Sequence, residues 1–98
     1  MHAHRKTPTE IDLTIGRNLR RQRIARGKSQ ETLAIEVGIS AQQIQKYETA
    51  INRVSASRLL QISLILGVQI ADFFIGQPDS RDNLFEPVRA SSFLQSEK

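Results

Sequence analysis

Ser29-Gln30-Glu31-Thr32-Leu33-Ala34-Ile35-Glu36-Val37-Gly38-Ile39-Ser40-Ala41-Gln42-Gln43-Ile44-Gln45-Lys46-Tyr47-Glu48 is the stretch on which the reading of the chain turns. It holds two short helical patterns with a break between them. Ser29 suits an N-cap, because its hydroxyl can accept a first-turn N–H. Leu33 and Val37 lie four apart and predict an inward face shared with Ala34. Gly38 ends that helix, since glycine takes a left-handed conformation without a Cβ clash. Ser40 then caps a second helix, predicted from Ala41 to about Glu48, and Ser40 and Gln43 have the spacing of a capping box. Ile44 and Tyr47 make its only apolar stripe. Ala41, Gln42, Gln43, Gln45 and Lys46 occupy the remainder.

A helix, a glycine-bearing turn of about three residues and a second helix is the helix-turn-helix arrangement. Ala34 is small enough to let the two helices approach. A glutamine amide can bond adenine N6 and N7 together in the major groove, and a lysine reaches guanine O6 and N7 or a phosphate. A helix with a narrow apolar stripe and an amide-rich outer face suits a groove about 12 Å wide. The plainer alternative is a solvated polar helix.

Outward from this stretch the pattern stays helical. Asp12 is the expected cap of a preceding helix, with Ile15 and Leu19 on one face and Ile24 further along. Arg17, Arg20, Arg21, Arg23 and Arg26 fill most of the rest, and Gly27 is the expected stop. After a loop over 49–54, Ser55 caps a fourth helix with Leu59, Ile62, Ile65 and Leu66 inward, ended by Gly67. A short fifth helix is predicted over Ile70 to Ile75, carrying Phe73 and Phe74 and stopped by Gly76 and Pro78. No strand pattern is present, so the expected class is all-α, a compact five-helix domain over 12–76. Residues 1–11 and 77–98 read as polar N- and C-terminal tails, the second with isolated Leu84, Phe85, Val88, Phe93 and Leu94.

The chain's 98 residues support one domain. With no cysteine, a disulfide scaffold and a cysteine-ligated zinc site are excluded. The net charge of +4 is unevenly spread. Residues 1–58 hold 11 of the 14 basic residues against 5 acidic ones, whereas residues 59–98 hold 3 basic and 5 acidic residues. A basic half on a small domain is the footprint expected for a polyanion partner. No carboxylate pair, nucleophile with a base or phosphate-cradling glycine loop is present, so the chain is not expected to be an enzyme. His2 and His4 lie in the N-terminal tail without a structured partner, and neither a metal nor a cofactor is expected. No apolar run follows the basic N-terminus, and Leu59 to Ile75 is broken by Gln61, Ser63, Gly67, Gln69 and Asp72. Neither a secretory signal nor a membrane span is therefore expected, and the expected location is the cytoplasm, at the nucleoid.

Ile15-Gly16, Leu19, Arg23, Gly27, Ser29-Gln30-Glu31, Leu33-Ala34, Gly38-Ile39-Ser40, Ile44 and Tyr47-Glu48, at these spacings, resemble the lambda-repressor-like, Cro-type helix-turn-helix domain of the XRE family. The likeness continues through Leu66, Val68 and Phe73-Phe74 and covers about two thirds of the chain. Gln43 to Glu48, with Asn52 to Leu59, is similar to small regulators of alphaproteobacteria. The resemblance implies that Gln30 meets a DNA phosphate, where a helix N-terminus adds donors. It implies that Ala41, Gln42, Gln43 and Gln45 face base edges and that Lys46 reaches a base or a phosphate. Thr49 matches a phosphate-binding loop position, and Asn52 and Arg53 match positions that reach the backbone or minor groove. Arg23 and Glu48 match a largely buried ion pair. The loop Thr49-Ala50 departs from the more usual Asn-Gly. Ala50 is a poor left-handed residue, so a longer third helix is expected. Gln22 and Lys28 stand where relatives are more often apolar.

The function so implied is a sequence-specific DNA-binding transcriptional regulator, a repressor, acting as a homodimer on a palindromic operator in double-stranded DNA. Two alternatives stand beside it. One is the antitoxin of a toxin–antitoxin pair, holding a protein partner through residues 77–98. The other is a protein-interaction domain on the same fold.

Overall fold

The computed structural model describes residues 8–76. The expectations for residues 77–98, including a protein partner held there, lie outside the described residues, as do His2 and His4. Four α-helices run in the order α1 (Glu10–Ala25), α2 (Gln30–Val37), α3 (Ala41–Glu48) and α4 (Ala56–Leu66), followed by a 3-10 helix, Ile70–Phe74. No strand occurs among the described residues.

The local signals that set these elements are mostly side-chain caps. Ser29, Ser40 and Ser55 each accept the backbone N–H three residues on, from Thr32, Gln43 and Arg58 at 3.0, 3.0 and 3.1 Å. Gly38 and Gly67 end α2 and α4 in the left-handed region, at φ 91° and 72°. The start of α1 differs from the expectation. Thr9, not Asp12, is the cap, and Asp12 sits one turn in. The Thr9 hydroxyl accepts the Asp12 N–H at 3.1 Å, and the Asp12 carboxylate accepts the Thr9 N–H at 3.0 Å. This is a reciprocal capping box with aspartate in place of the usual glutamate or glutamine. The box expected at Ser40 forms only by half: the Ser40 hydroxyl accepts the Gln43 N–H, while the Gln43 side-chain oxygen Oε1 accepts from the Asn52 amide at 3.4 Å.

Two further expectations are corrected. The third helix does not run on: it stops at Glu48, and Ala50 takes φ 64°. Ala50 is buried, its N–H donates to the Tyr47 carbonyl at 3.1 Å, and the Asn52 N–H donates to the Lys46 carbonyl at 3.2 Å. Burial and closure of the turn offset the cost of a left-handed alanine. The fifth segment is a five-residue 3-10 helix, a form confined to short pieces. Phe73 anchors it with no exposed surface, while Phe74 stays 38% exposed.

The core is Leu19, Leu33, Ala34, Val37, Ile44, Tyr47, Leu59, Ile62, Leu66 and Phe73, with Ile15, Val54, Ile65 and Val68 packed at its edge. Ile24, further along the helix, is 49% exposed. The inward face of α1 is largely polar, formed by Thr14, Gly16, Asn18, Leu19 and Arg23. Asn18 donates to the carbonyls of Phe73 at 2.9 Å and Ile75 at 2.8 Å, which holds the 3-10 helix against α1. Gly16 lies against the end of α3 so closely that a Cβ there would stand 2.6 Å from the Glu48 carbonyl oxygen and 2.7 Å from that of Tyr47.

Both obstacles at Gly16 are backbone, so Gly16→Ala must push α1 and α3 apart. The expected loss is about 1–3 kcal/mol. For a domain of this size that is a fall in melting temperature of roughly 4–8 °C per kcal/mol, measurable by thermal unfolding.

Candidate nucleic-acid interface

Helix α3 buries Ile44, Tyr47 and Glu48, positions three and four apart, and this fixes its rotation about its own axis. Gln42, Gln45 and Lys46 are consequently exposed, and Ala41 and Gln43 are half-buried at the margin. The five side chains assigned from sequence to base and phosphate contact therefore lie on and beside one open face. The Gln43 amide oxygen faces Asn52.

The far end of α3 is tied down by charge. Arg23 donates from Nε to Glu48 Oε2 at 2.6 Å and from Nη2 to Oε1 at 3.1 Å. The side chains are 9% and 2% exposed. Such a two-point geometry is the strong form of the arginine–carboxylate pair. Arg23 also donates to the Lys28 carbonyl at 2.8 Å, and Gln30 donates to Glu48 Oε1 at 3.0 Å. α1, the start of α2 and the end of α3 thus meet at one carboxylate. Gln30 is half-buried and its amide is engaged in this network, while in the first turn of α2 the Thr32 N–H is taken by the Ser29 hydroxyl.

The α3–α4 loop continues the same side of the molecule. The Thr49 hydroxyl donates back to the Gln45 carbonyl at 2.9 Å. Asn52 and Arg53 are exposed, and Arg53 Nε donates to Asp12 Oδ2 at 3.1 Å. Partial burial disfavours the ionised Asp12, but the two contacts from Thr9 and the charge of Arg53 outweigh it. Its carboxyl titrates below the ordinary value of 3.8. Pro8, Gln43, Tyr47, Thr49, Ala50, Ile51, Asn52 and Arg53 line one open concavity. Among the described residues no group of His, Cys, Asp or Glu is placed to hold a metal, and no helix is long and apolar enough to cross a membrane.

A capped helix pair with a left-handed glycine between them and a polar second helix turned outward is the arrangement to which the sequence comparison also leads. The profile of the helix-turn-helix family matches residues 19–73, more than half of the chain. The chain belongs to the XRE-type helix-turn-helix family. An uncharacterized HTH-type transcriptional regulator of Sinorhizobium medicae (strain WSM419) is 47% identical over 78 residues, covering 80% of this chain and 56% of the relative. An uncharacterized transcriptional regulator from the ATPase CF(0) region of Rhodospirillum rubrum is 48% identical over 69 residues, covering 70% and 64%. The chain thus spans less than two thirds of these curated relatives. Among solved structures, the restriction-modification controller protein C.AhdI of Aeromonas hydrophila superposes with a TM-score of 0.60 at 31% identity, covering 63% of this chain and 94% of that one. The clp gene regulator ClgR of C. glutamicum gives a TM-score of 0.66 at 25% identity, covering 74% and 94%.

Three residues make contacts between elements that the sequence does not announce. Asp12 has the character of a cap, but it also holds Arg53. Asn18 carries no motif, although a polar residue beside Leu19 on a helix face that must turn inward is itself a signal. Lys28 shows in the sequence only as a departure from an apolar position. It is half-buried and donates from Nζ to both carboxylate oxygens of Glu36 at 2.9 Å, which joins the α1–α2 turn to α2.

Arg23→Ala leaves the Glu48 carboxylate buried without its cation and should cost about 3–5 kcal/mol in urea unfolding. Arg23→Met combined with Glu48→Leu should cost less than the two single truncations together, because no charge is stranded. Asp12 makes a separate, pH-dependent contribution. Its carboxyl is depressed in the folded state, so the stability it adds is complete above 3.8 and lost as pH falls through the folded value. Asp12→Asn should therefore remove part of the acid limb in a series of unfolding curves from neutral pH downward, with little change in the slope above pH 5 or so.

Proposed function

We propose that this protein is a sequence-specific, DNA-binding transcriptional regulator that acts as a repressor. It binds a palindromic operator as a homodimer, with α3 of each protomer in the major groove. One observation carries this reading. α3 presents Gln42, Gln45 and Lys46, with Gln43 beside them, on an open face whose orientation is set by a buried ion pair at its other end. A recognition helix needs outward amides and a fixed rotation, since base edges are distinguished by hydrogen bonds of defined direction. The names carried by the relatives, transcriptional regulators in two bacteria, and by ClgR, a gene regulator, agree with it.

In this reading Gln42, Gln43 and Gln45 contact base edges, Ala41 packs against the groove, and Lys46 contacts a base or a phosphate. Gln30, Thr49, Asn52 and Arg53 meet the sugar-phosphate backbone, the first through the N-terminus of α2. Two α3 helices related by a two-fold axis read half-sites about 34 Å apart. Occupation of such a site blocks other proteins from it, which is the simplest route to repression for so small a module. The protein works where the chromosome is, in the cytoplasm at the nucleoid.

Selection of bound sequences from random DNA should return a palindrome. Gln43→Ala should relax it at one position per half-site, at a cost of about 1–3 kcal/mol. With about 6–10 phosphate contacts per dimer, log K should fall against log salt with a slope of about −5 to −9. An absence of sequence preference, or binding indifferent to salt, overturns the proposal.

A further inference from the structure

A second face of α1 points away from the core. Arg17, Arg20, Arg21 and Ile24 follow one another at i, i+3, i+4 and i+7, so they form a single exposed stripe. Together with Ile75 and Gly76 they line a cleft of about 540 Å³, a size usual for small-molecule sites. It shares no lining residue with the concavity beside α3. The charges in it are unbalanced. Among the described residues the ion pairs use Arg23, Lys28 and Arg53, and no carboxylate pairs with Arg17, Arg20 or Arg21. Glu48 reaches the cleft, but its two oxygens are already taken by Arg23 and Gln30. Arg17 donates to the Thr14 hydroxyl at 3.2 Å and Arg21 to the Asn18 side-chain oxygen. Both acceptors are neutral, and most of the five donors on each guanidinium stay unused. Like charges one turn apart on a helix repel, so the stripe carries a strain that an anion would relieve.

We propose that this cleft binds a small organic oligophosphate of the nucleotide kind. Its phosphate chain lies along Arg17, Arg20 and Arg21, and its ring portion rests against Ile24 and Ile75. A planar guanidinium grips phosphate oxygens at two points, which makes arginine the residue of choice for phosphate recognition. Three of them along about two turns of helix match a short phosphate chain better than a single carboxylate. Ile24 and Ile75 are 49% and 53% exposed in the same cleft. They offer an organic group a surface that inorganic phosphate has no use for. The walls are set before a ligand arrives. Asn18, also in the lining, donates to the carbonyls of Phe73 and Ile75 and so holds Ile75 beside α1. A site formed in advance spends less of its binding energy on ordering itself. The assignment does not depend on the DNA-binding function proposed above and concerns a different set of residues.

The test titrates the full chain with ATP and with sodium tripolyphosphate by isothermal titration calorimetry, at constant ionic strength and without DNA. ATP should bind saturably and raise the melting temperature, since a ligand that binds only the folded state stabilises it. Arg17→Ala and Arg20→Ala should each weaken ATP by about tenfold, as expected for losing hydrogen bonds between charged groups. The unliganded melting temperature should stay unchanged, because both side chains are exposed. Arg20→Lys keeps the charge without the fork and should recover only part of the loss. Ile24→Ser should weaken ATP and leave tripolyphosphate as it was. A wild-type protein that binds neither compound saturably overturns the site. So does a Lys46→Ala variant weakened as much as Arg20→Ala, which marks diffuse attraction to a basic protein. ATP that binds no tighter than tripolyphosphate overturns the assignment of an organic ligand. None of these outcomes bears on DNA recognition by α3, so the proposed function stands or falls separately.

Discussion

The contact between Arg23 and Glu48 governs how the helices meet. Two opposite charges taken out of water cost several kcal/mol each in lost hydration. They persist only where geometry and further hydrogen bonds compensate. Here the guanidinium grips both carboxylate oxygens and the Lys28 carbonyl, and Gln30 supplies another donor to Glu48. Glu48 is also the last residue of α3, where the helix dipole disfavours a negative charge. Without the cation from α1 that carboxylate has no reason to be buried. The arrangement leaves α3 little freedom to rotate, since a turn about its axis would strand either the carboxylate or the core residues Ile44 and Tyr47.

Polar seams do elsewhere what apolar packing does in larger proteins. α1 contributes Leu19 as its one buried large hydrophobic side chain. It joins its neighbours through the ion pair at Arg23, the two carbonyl bonds of Asn18 and the bare backbone approach at Gly16. Apolar contacts tolerate small slides, whereas hydrogen bonds of 2.6 to 3.1 Å do not. A domain with so few large side chains therefore gains a defined α1–α3 register from directional contacts. The α2 and α4 side holds the more conventional aliphatic core of Leu33, Val37, Leu59, Ile62 and Leu66.

The parts legible in the sequence are those written locally. Ser29, Gly38 and Ser40 delimit α2 and α3 because caps act within three residues, and Leu33, Val37, Ile44 and Tyr47 mark faces by their spacing. What the sequence does not disclose depends on residues distant from one another. Thr9 and Asp12 are the local exception, a box with aspartate in place of the usual glutamate or glutamine. Ala50 accepts a left-handed backbone because its methyl is buried, which no local rule anticipates. The last helix is tied to α1 by Asn18, 55 positions upstream, which donates to the Phe73 carbonyl. At the candidate interface the outward residues of α3 follow from its narrow stripe. The engagement of Gln30 with Glu48, Gln43 with Asn52 and Arg53 with Asp12 does not, because each crosses from one element to another.

The contact between Gln43 and Asn52 links two tasks that are usually treated apart. At 3.4 Å it is a long hydrogen bond between exposed groups, weakly held and easily exchanged. A glutamine that pairs with adenine uses its amide oxygen as well as its nitrogen. Under the proposed function, the oxygen that would meet the base is therefore the one that Asn52 occupies in the unbound protein. Releasing it frees the Asn52 amide at the same moment to donate elsewhere, and a neighbouring phosphate is the natural acceptor. Reading a base and gripping the backbone then become two halves of one swap of partners. In that reading a wrong base would leave the swap incomplete, so a mismatch would be penalised in the grip on the backbone as well as in the groove.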